Sequence, residues 1–220
     1  MKSLRIAAVA DVHSPRFFTE FETSLTQFEK PDLFLLAGDI VNRGKTDEYP
    51  RVVNAIERYH KDVPIVACFG NEEYLETRYE IKSLIGNRVV FLEETNMIIS
   101  IADATIGIVG ASVLVDNSIE LSEIRVVFEK RAENVSKLLQ EVASESEHVI
   151  LLLHYSPLLE PLIDPDSFSW WISKAIETIQ PSLIIHGHHH DSLKQIVTIG
   201  STRVYNVALP AVGSITEIEL

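Results

Sequence analysis

Cysteine is almost missing from these 220 residues. The single thiol, Cys68, cannot close an internal disulfide, which fits a reducing compartment, and a cytoplasmic location is expected. Long apolar runs are missing too. The longest, such as Val149 to Leu153, are strand length and far short of the ~20 residues a membrane-spanning helix needs. The opening MKSLRIAAVADVH has a brief apolar stretch, but Asp11 and His13 interrupt it and no cleavage-type region follows. It reads as a β-strand rather than a signal peptide. Basic residues are scarce, 19 Lys and Arg against 32 Asp and Glu, for a net charge of −13. A field of that sign repels polyphosphate backbones, so nucleic acid is not an expected partner. It still leaves room for one phosphate at a site carrying its own positive charge, which metal ions would supply. Neither a repeat nor a low-complexity segment nor a linker interrupts the chain, and one domain over residues 1–220 is expected.

What is present is alternation. Residues 4–10 read as a buried strand and 17–29 as a helix; 33–37 is strand-like again, and 48–60 has helical spacing with Val52, Val53, Ile56 and Tyr59 apolar. Pro64 opens a third strand through Phe69, followed by a helix over 75–85. Strand-helix-strand-helix order predicts parallel pairing and an α/β core. After Val89 the texture turns β-rich, with strands predicted at 97–101 and 105–109. The longest helical candidate spans 118–145, and strands at 149–153 and 183–186 flank a helix that starts at Asp166 or Ser167 and ends before Pro181. The tail holds three short strand candidates at 196–199, 203–207 and 215–220.

The informative feature is where metal-ligand residue types fall. The segment LIIHGHHHDS packs four of the chain's eight histidines after an apolar run. The first strand ends at Asp11-Val12-His13, the second at Gly38-Asp39, the third at Gly70-Asn71-Glu72; a later one ends at His154 and another at Gly187-His188-His189-His190. In open α/β sheets the carboxyl ends of the strands form the ligand crevice. In an extended segment residues two apart point the same way, so both partners of Asp-x-His and His-x-His can face one site. Each block alone has an ordinary explanation: a turn or helix cap for Asp39, a hydrogen-bonded strand-end residue for His154, a mononuclear site or surface accident for the histidine cluster. Five together point to a shared site. Mixed carboxylate and imidazole ligands suit a pair of transition-metal ions such as Mn, Fe, Ni or Zn.

These five blocks, in this order, resemble those of the calcineurin-like metallophosphoesterases. The resemblance runs from residue 11 to residue 190 and implies a four-layer α-β-β-α sandwich of two mixed sheets flanked by helices. It further implies two divalent metal ions, with Mn²⁺ (among Mn, Fe, Ni and Zn) the best activator in vitro. Carried over by position, one ion would be held by Asp11, His13, Asp39 and His190, the other by Asp39, Asn71, His154 and His188, with Asp39 bridging. His186 and His189 fall outside that pattern. The implied reaction is attack of a metal-bridging hydroxide on the phosphorus of a small phosphodiester or monoester. No protein nucleophile is required.

Two departures bear on the chemistry. The third block of active members usually reads Gly-Asn-His, the histidine assisting the leaving group, whereas this chain has Gly70-Asn71-Glu72. Glutamate could act as an acid only with a pKa raised well above ~4.3. GDIVNRG resembles the GDxVDRG block of the protein-phosphatase branch, with Asn42 in place of the aspartate that partners the missing histidine. Arg43 stands where that branch has a phosphate-binding arginine, and a surface salt bridge is its competing reading. Glu72, Arg43 and Asn71 are therefore the candidates for contact with the reacting group. The expected activity favours good leaving groups such as aryl phosphodiesters. The alternative is an interaction module that has lost catalysis, a use of this fold that the retromer scaffold subunit exemplifies; a nuclease is a third reading. The loop YSPLLEPLIDPDSFSWW is long enough to overhang the site, and its Trp170-Trp171 pair could stack on a base, fill core or contact a second copy in a homodimer.

Overall fold

The computed structural model of the chain describes residues 3–101, 103–112, 121–157, 174–192 and 195–220. Strands β1 (Arg5–Val9), β2 (Leu33–Ala37) and β3 (Ile65–Cys68) are buried almost throughout, which is why they read as continuous apolar runs rather than alternating ones. They pair in parallel with one another and with β4 (Val90–Phe91). The last strand, Thr216–Glu219, closes the sheet as an antiparallel edge beside β1. A second sheet holds β5 (Thr95–Ile101), β6 (Ala104–Ala111), β7 (His148–Leu153), β8 (Leu183–His186), β9 (Ile196–Ile199) and β10 (Thr202–Asn206), in the order β5-β6-β7-β8-β10-β9. Its four central strands are parallel and its two outer ones antiparallel.

The two-residue side-chain period sorts each strand between two layers. Ile6, Ala8, Leu35 and Ala37 from the first sheet meet Ile108, Ile150, Leu152 and Ile185 from the second in one inter-sheet core. On the outer face of the first sheet, Val9, Phe34 and Leu36 pack under helices α1 (Phe18–Ser24), α2 (Glu48–Tyr59) and α3 (Arg78–Ile85). On the outer face of the second, Val109, Leu151 and Ile184 meet Val135, Leu139 and Val142 of α4 (Leu121–Ala143). Helices, sheet, sheet and helix give the expected four-layer α/β sandwich.

The elements depart from the sequence reading at their edges. The first helix stops at Ser24 instead of reaching residue 29: the Thr26 and Gln27 amides bond three residues back, to Thr23 O and Ser24 O, and the Thr26 hydroxyl also takes Thr23 O. The helix expected from residue 75 begins with a 3-10 turn, Leu75–Thr77. β4 and a short helix at Leu209–Val212 were not anticipated; a two-residue strand is too short to show a period. The expected helix start at Asp166 or Ser167 and the Trp170-Trp171 pair lie outside the described residues. Among the described residues no helix is long and apolar enough to cross a membrane.

Leu152 is fully buried between the sheets. Leu152→Ala should lower the free energy of unfolding by about 2–5 kcal/mol. Urea titration should show this as a lower midpoint at unchanged slope.

Candidate metal centre

Parallel strands in both sheets end on one side, and the polar residues sit in the loops just past β1, β2, β3, β7 and β8. Three glycines let those loops touch. A Cβ on Gly38 would lie 2.6 Å from Gly70 N and 2.7 Å from His154 Nδ1. One on Gly70 would strike the Asp39 carboxylate and come within 2.5 Å of its amide; one on Gly187 would strike Ala10 and Asp11 Oδ2. Backbone bonds stitch the same loops: Asp11 N–H to Gly38 O (3.0 Å), His13 N–H to Asp39 O (2.9 Å) and Gly187 N–H to His154 O (2.9 Å). Asp11, His13, Asp39, Arg43 and His188 all hold left-handed backbone at φ between 42° and 69°. Non-glycine residues there cost about 1–3 kcal/mol each; Asp62 and Glu94, away from these loops, share the conformation, so it is the gathering of five in one place that is notable.

The side chains gather into two groups whose ligand atoms lie within 4.8 Å of one another: Asp11, His13 and His190, and Asp39, His154 and His188. Asp11 Oδ2 accepts the His188 N–H (2.8 Å), and Oδ1 faces His190 Nε2 at 2.9 Å and His13 Nε2 at 3.6 Å. Burial works against its charge, but the His13 and His190 imidazoles hold the Asp11 carboxyl well below the usual carboxylate range. Asp39 Oδ1 accepts the Glu72 N–H (2.7 Å), while Oδ2 faces both groups, 3.9 Å from His13 Nε2 and 3.4 Å from His154 Nε2.

Lone pairs meet lone pairs here. His154 Nδ1 donates to Ala37 O at 2.9 Å, so its Nε2 points unprotonated in the neutral ring at Asn71 Oδ1, 3.1 Å away, and at Asp39. His13 Nε2 is buried and has no hydrogen-bond partner among the described residues. A cation between such groups satisfies all of them, so the donor set fits divalent metal. In its place a proton serves: burial opposes it, but Asp39's carboxylate lifts the His154 imidazole to about 9. His186 stays outside both groups, buried, with Nδ1 on Gly187 O at 2.9 Å; burial drops it to about 4, so it is neutral. His189 is half-exposed, its carbonyl held by Asn206 Nδ2 at 2.8 Å. Cys68 is fully buried, and burial pushes its thiol up, leaving it inert.

Glu72 and Arg43 meet differently from a phosphate-facing acid and cation. Glu72 Oε2 accepts the backbone N–H of Arg43 (2.6 Å), and Glu72 O accepts that of Gly44 (2.8 Å). The Glu72 side chain thus anchors the turn that displays Arg43. The Arg43 side chain is exposed and makes no ion pair among the described residues. Three neighbours escaped the sequence reading. Glu73 is fully buried beneath Asp39; Tyr155 packs its ring on His188 (4.4 Å) and on His154 (5.2 Å); Asn206 holds the histidine loop. Burial, with Asp39's charge beside it, pushes the Glu73 carboxyl up, against the pull of amides from Val41 and Gly70. The Glu72-Glu73 doublet carried the signal, but composition cannot say which of two adjacent acids turns inward.

A family model described as calcineurin-like phosphoesterase matches residues 4–192. No curated protein matches the chain. Among solved structures, TT1561 of Thermus thermophilus superposes with TM-score 0.64 at 14% identity, covering 99% of both chains. GAP50, the anchor in the inner membrane complex of Plasmodium, gives 0.62 at 12%, covering 96% of this chain and 73% of its own. Haemophilus influenzae NAD nucleotidase gives 0.61 at 14%, covering 99% of this chain and 47% of its own.

Gly70's φ lies outside the left-handed region, so Gly70→Ala isolates the close approach from backbone preference. It should destabilise the protein by at least about 1–3 kcal/mol. An unchanged midpoint in chemical denaturation would contradict the contact.

Proposed function

Because the chain belongs to the calcineurin-like phosphoesterase family, we propose that it is a metal-dependent phosphoesterase acting on a small phosphodiester with a good leaving group. The observation that carries this reading is Asp39 Oδ2, one carboxylate oxygen facing two separate groups of ligand atoms. Asp11, His13 and His190 with Asp39 would hold one ion; Asp39, Asn71, His154 and His188 would hold the other. Two divalent ions supply Lewis-acid charge and lower the pKa of a water to the neutral range. The protein's part is to fix the ligands: Asp11 and Asp39 are oriented by backbone amides and His154 by Ala37 O. Arg43, exposed on the turn that Glu72 anchors, would offer its guanidinium to two phosphoryl oxygens.

Support for the good-leaving-group preference comes from Glu72. Its carboxylate is taken up by the Arg43 turn, so the histidine that assists departure in relatives has no evident substitute at that position. The same observation favours a second reading, an interaction module, and GAP50 is a protein of this fold described as an anchor.

Hydrolysis of bis-p-nitrophenyl phosphate with added Mn²⁺ decides between them. Turnover should be metal-dependent and fall at least ~100-fold in Asp39→Asn. Absence of turnover above that variant with Mn²⁺, Ni²⁺ and Zn²⁺ would shift the assignment to the module. Glu72→Gln keeps an acceptor for the Arg43 amide and should retain activity on this substrate within about threefold, whereas Glu72→Ala frees the turn and should raise KM more than it lowers kcat.

Proton competition gives a further expectation. Metal-free His154 holds its proton up to about pH 9, and an ion must displace it. Mn²⁺ affinity should therefore rise with pH through the neutral range and weaken as pH falls. Calorimetry in two buffers of different ionisation enthalpy should show net proton release on binding.

A further inference from the structure

Immediately past β2 the main chain turns three successive amides, those of Asp39, Ile40 and Val41, toward one point beneath the site. The carboxylate of Glu73 occupies that point. Its Oε1 accepts from Ile40 (2.6 Å) and Val41 (3.0 Å); its Oε2 accepts from Asp39 (2.8 Å) and from Gly70 across the cleft between the loops (2.7 Å). Such a run of amides is an anion-binding concavity, here filled by the protein's own side chain. Asp39 sits within it in left-handed backbone at φ 53°.

Glu73 is itself held in place. Arg78, a buried arginine, donates Nε to Glu73 O (3.1 Å), lays its guanidinium over the Phe69 ring (4.7 Å) and reaches Ser112 Oγ at the end of β6 (3.0 Å). The second sheet thereby fixes the residue that fixes the loop of the first.

We propose that Glu73 is the positioning residue of the centre: by gathering the amides of Asp39, Ile40, Val41 and Gly70 on one carboxylate, it sets Asp39 between the two metal positions. This rests on the metal reading proposed above. Glu73 acts through Asp39 and has no direct contact with a reacting group. The division of two amides per oxygen makes the claim specific. Glutamine can keep one pair of acceptors only, and turns an NH₂ donor against the other two amides. Aspartate keeps the charge but retracts it by one methylene.

The test measures Mn²⁺ binding to wild type, Glu73→Gln and Glu73→Asp by calorimetry and electron paramagnetic resonance, alongside amide hydrogen exchange of the metal-free proteins. Wild type should take up two ions with an exchange-coupled spectrum, and its Ile40, Val41 and Gly70 amides should be strongly protected. Both variants should bind one of the two ions about 10–100-fold more weakly, lose the coupled spectrum and expose those amides. Leu152→Ala, destabilised in the inter-sheet core, should keep both ions and the coupled spectrum, which separates positioning from general loss of stability. Variants with unchanged affinity and coupling would overturn the inference. If wild type binds no Mn²⁺, the metal reading fails, and exchange alone judges whether Glu73 holds the loop. If neither variant folds, exchange in wild type decides: protected amides uphold the clamp, and freely exchanging amides overturn it.

Discussion

The closest constraint in the molecule is the approach of the Gly70 backbone to Asp39, where a single methyl group would collide with both the amide and the carboxylate. β2 and β3 are adjacent parallel strands, so their loops leave the sheet side by side. For Asp39 to face histidines on both sheets, the chain past β3 must pass directly beneath it. Gly38 and Gly187 meet the same requirement toward His154 and Asp11. The glycines in these blocks are therefore packing residues where the loops meet, and the spacing of the candidate ligands follows from how near they let the loops come.

Bringing the loops together strains them. The left-handed conformations at Asp11, His13, Asp39 and His188 are stable only if the surroundings over-determine them. They are met by bonds from side chain to backbone: Asp11 to the His188 amide, Asp39 to the Glu72 amide, and Glu73 to four amides at once. Charge-assisted bonds of this kind contribute about 1.5–3 kcal/mol apiece, the same order as the strain they oppose. Two of the residues that would bind metal, Asp11 and Asp39, thus also tie neighbouring loops in place, and Glu73, which binds none, does the same beneath them.

The core strands were legible because they are long enough to be apolar throughout and short enough not to be helices, and the candidate ligands because polar types repeated at strand ends; the four-layer order followed only from the resemblance those blocks carry, since periodicity alone does not join the α/β half to the β-rich tail. Leu33–Ala37, buried along its whole length, and the Gly-Asp that follows it are the clearest case. What escaped was whatever depends on direction alone. Glu72 and Glu73 are adjacent and chemically alike, yet one half-buried side chain anchors the Arg43 turn and the other lies fully inside. Tyr155 stands next to His154 in sequence, but only the turn after β7 lays its ring on His188. Asn206 is 17 residues from His189 and meets it because β10 lies beside β8.

Charge explains why this centre and the acidic surface coexist. Three carboxylates, Asp11, Asp39 and Glu73, are buried within one small region of a protein whose net charge is −13. Ionised carboxylates are removed from water only when paired or strongly hydrogen-bonded. Glu73 finds its compensation in main-chain amides, Asp11 in imidazoles and an amide, and Asp39 in one amide and the imidazoles around it. Of the three, Asp39 keeps an oxygen that lies near His13 Nε2 and faces His154 Nε2, an acceptor in the neutral ring because Nδ1 is taken by Ala37 O. That oxygen can be satisfied by a proton shared with His154 or by a cation. A divalent cation does so with twice the charge, and a ligand that binds the folded state alone adds to its stability by mass action. The same unfavourable gathering of negative charge that would repel a phosphate ester from the bare protein is what selects the ions able to attract it.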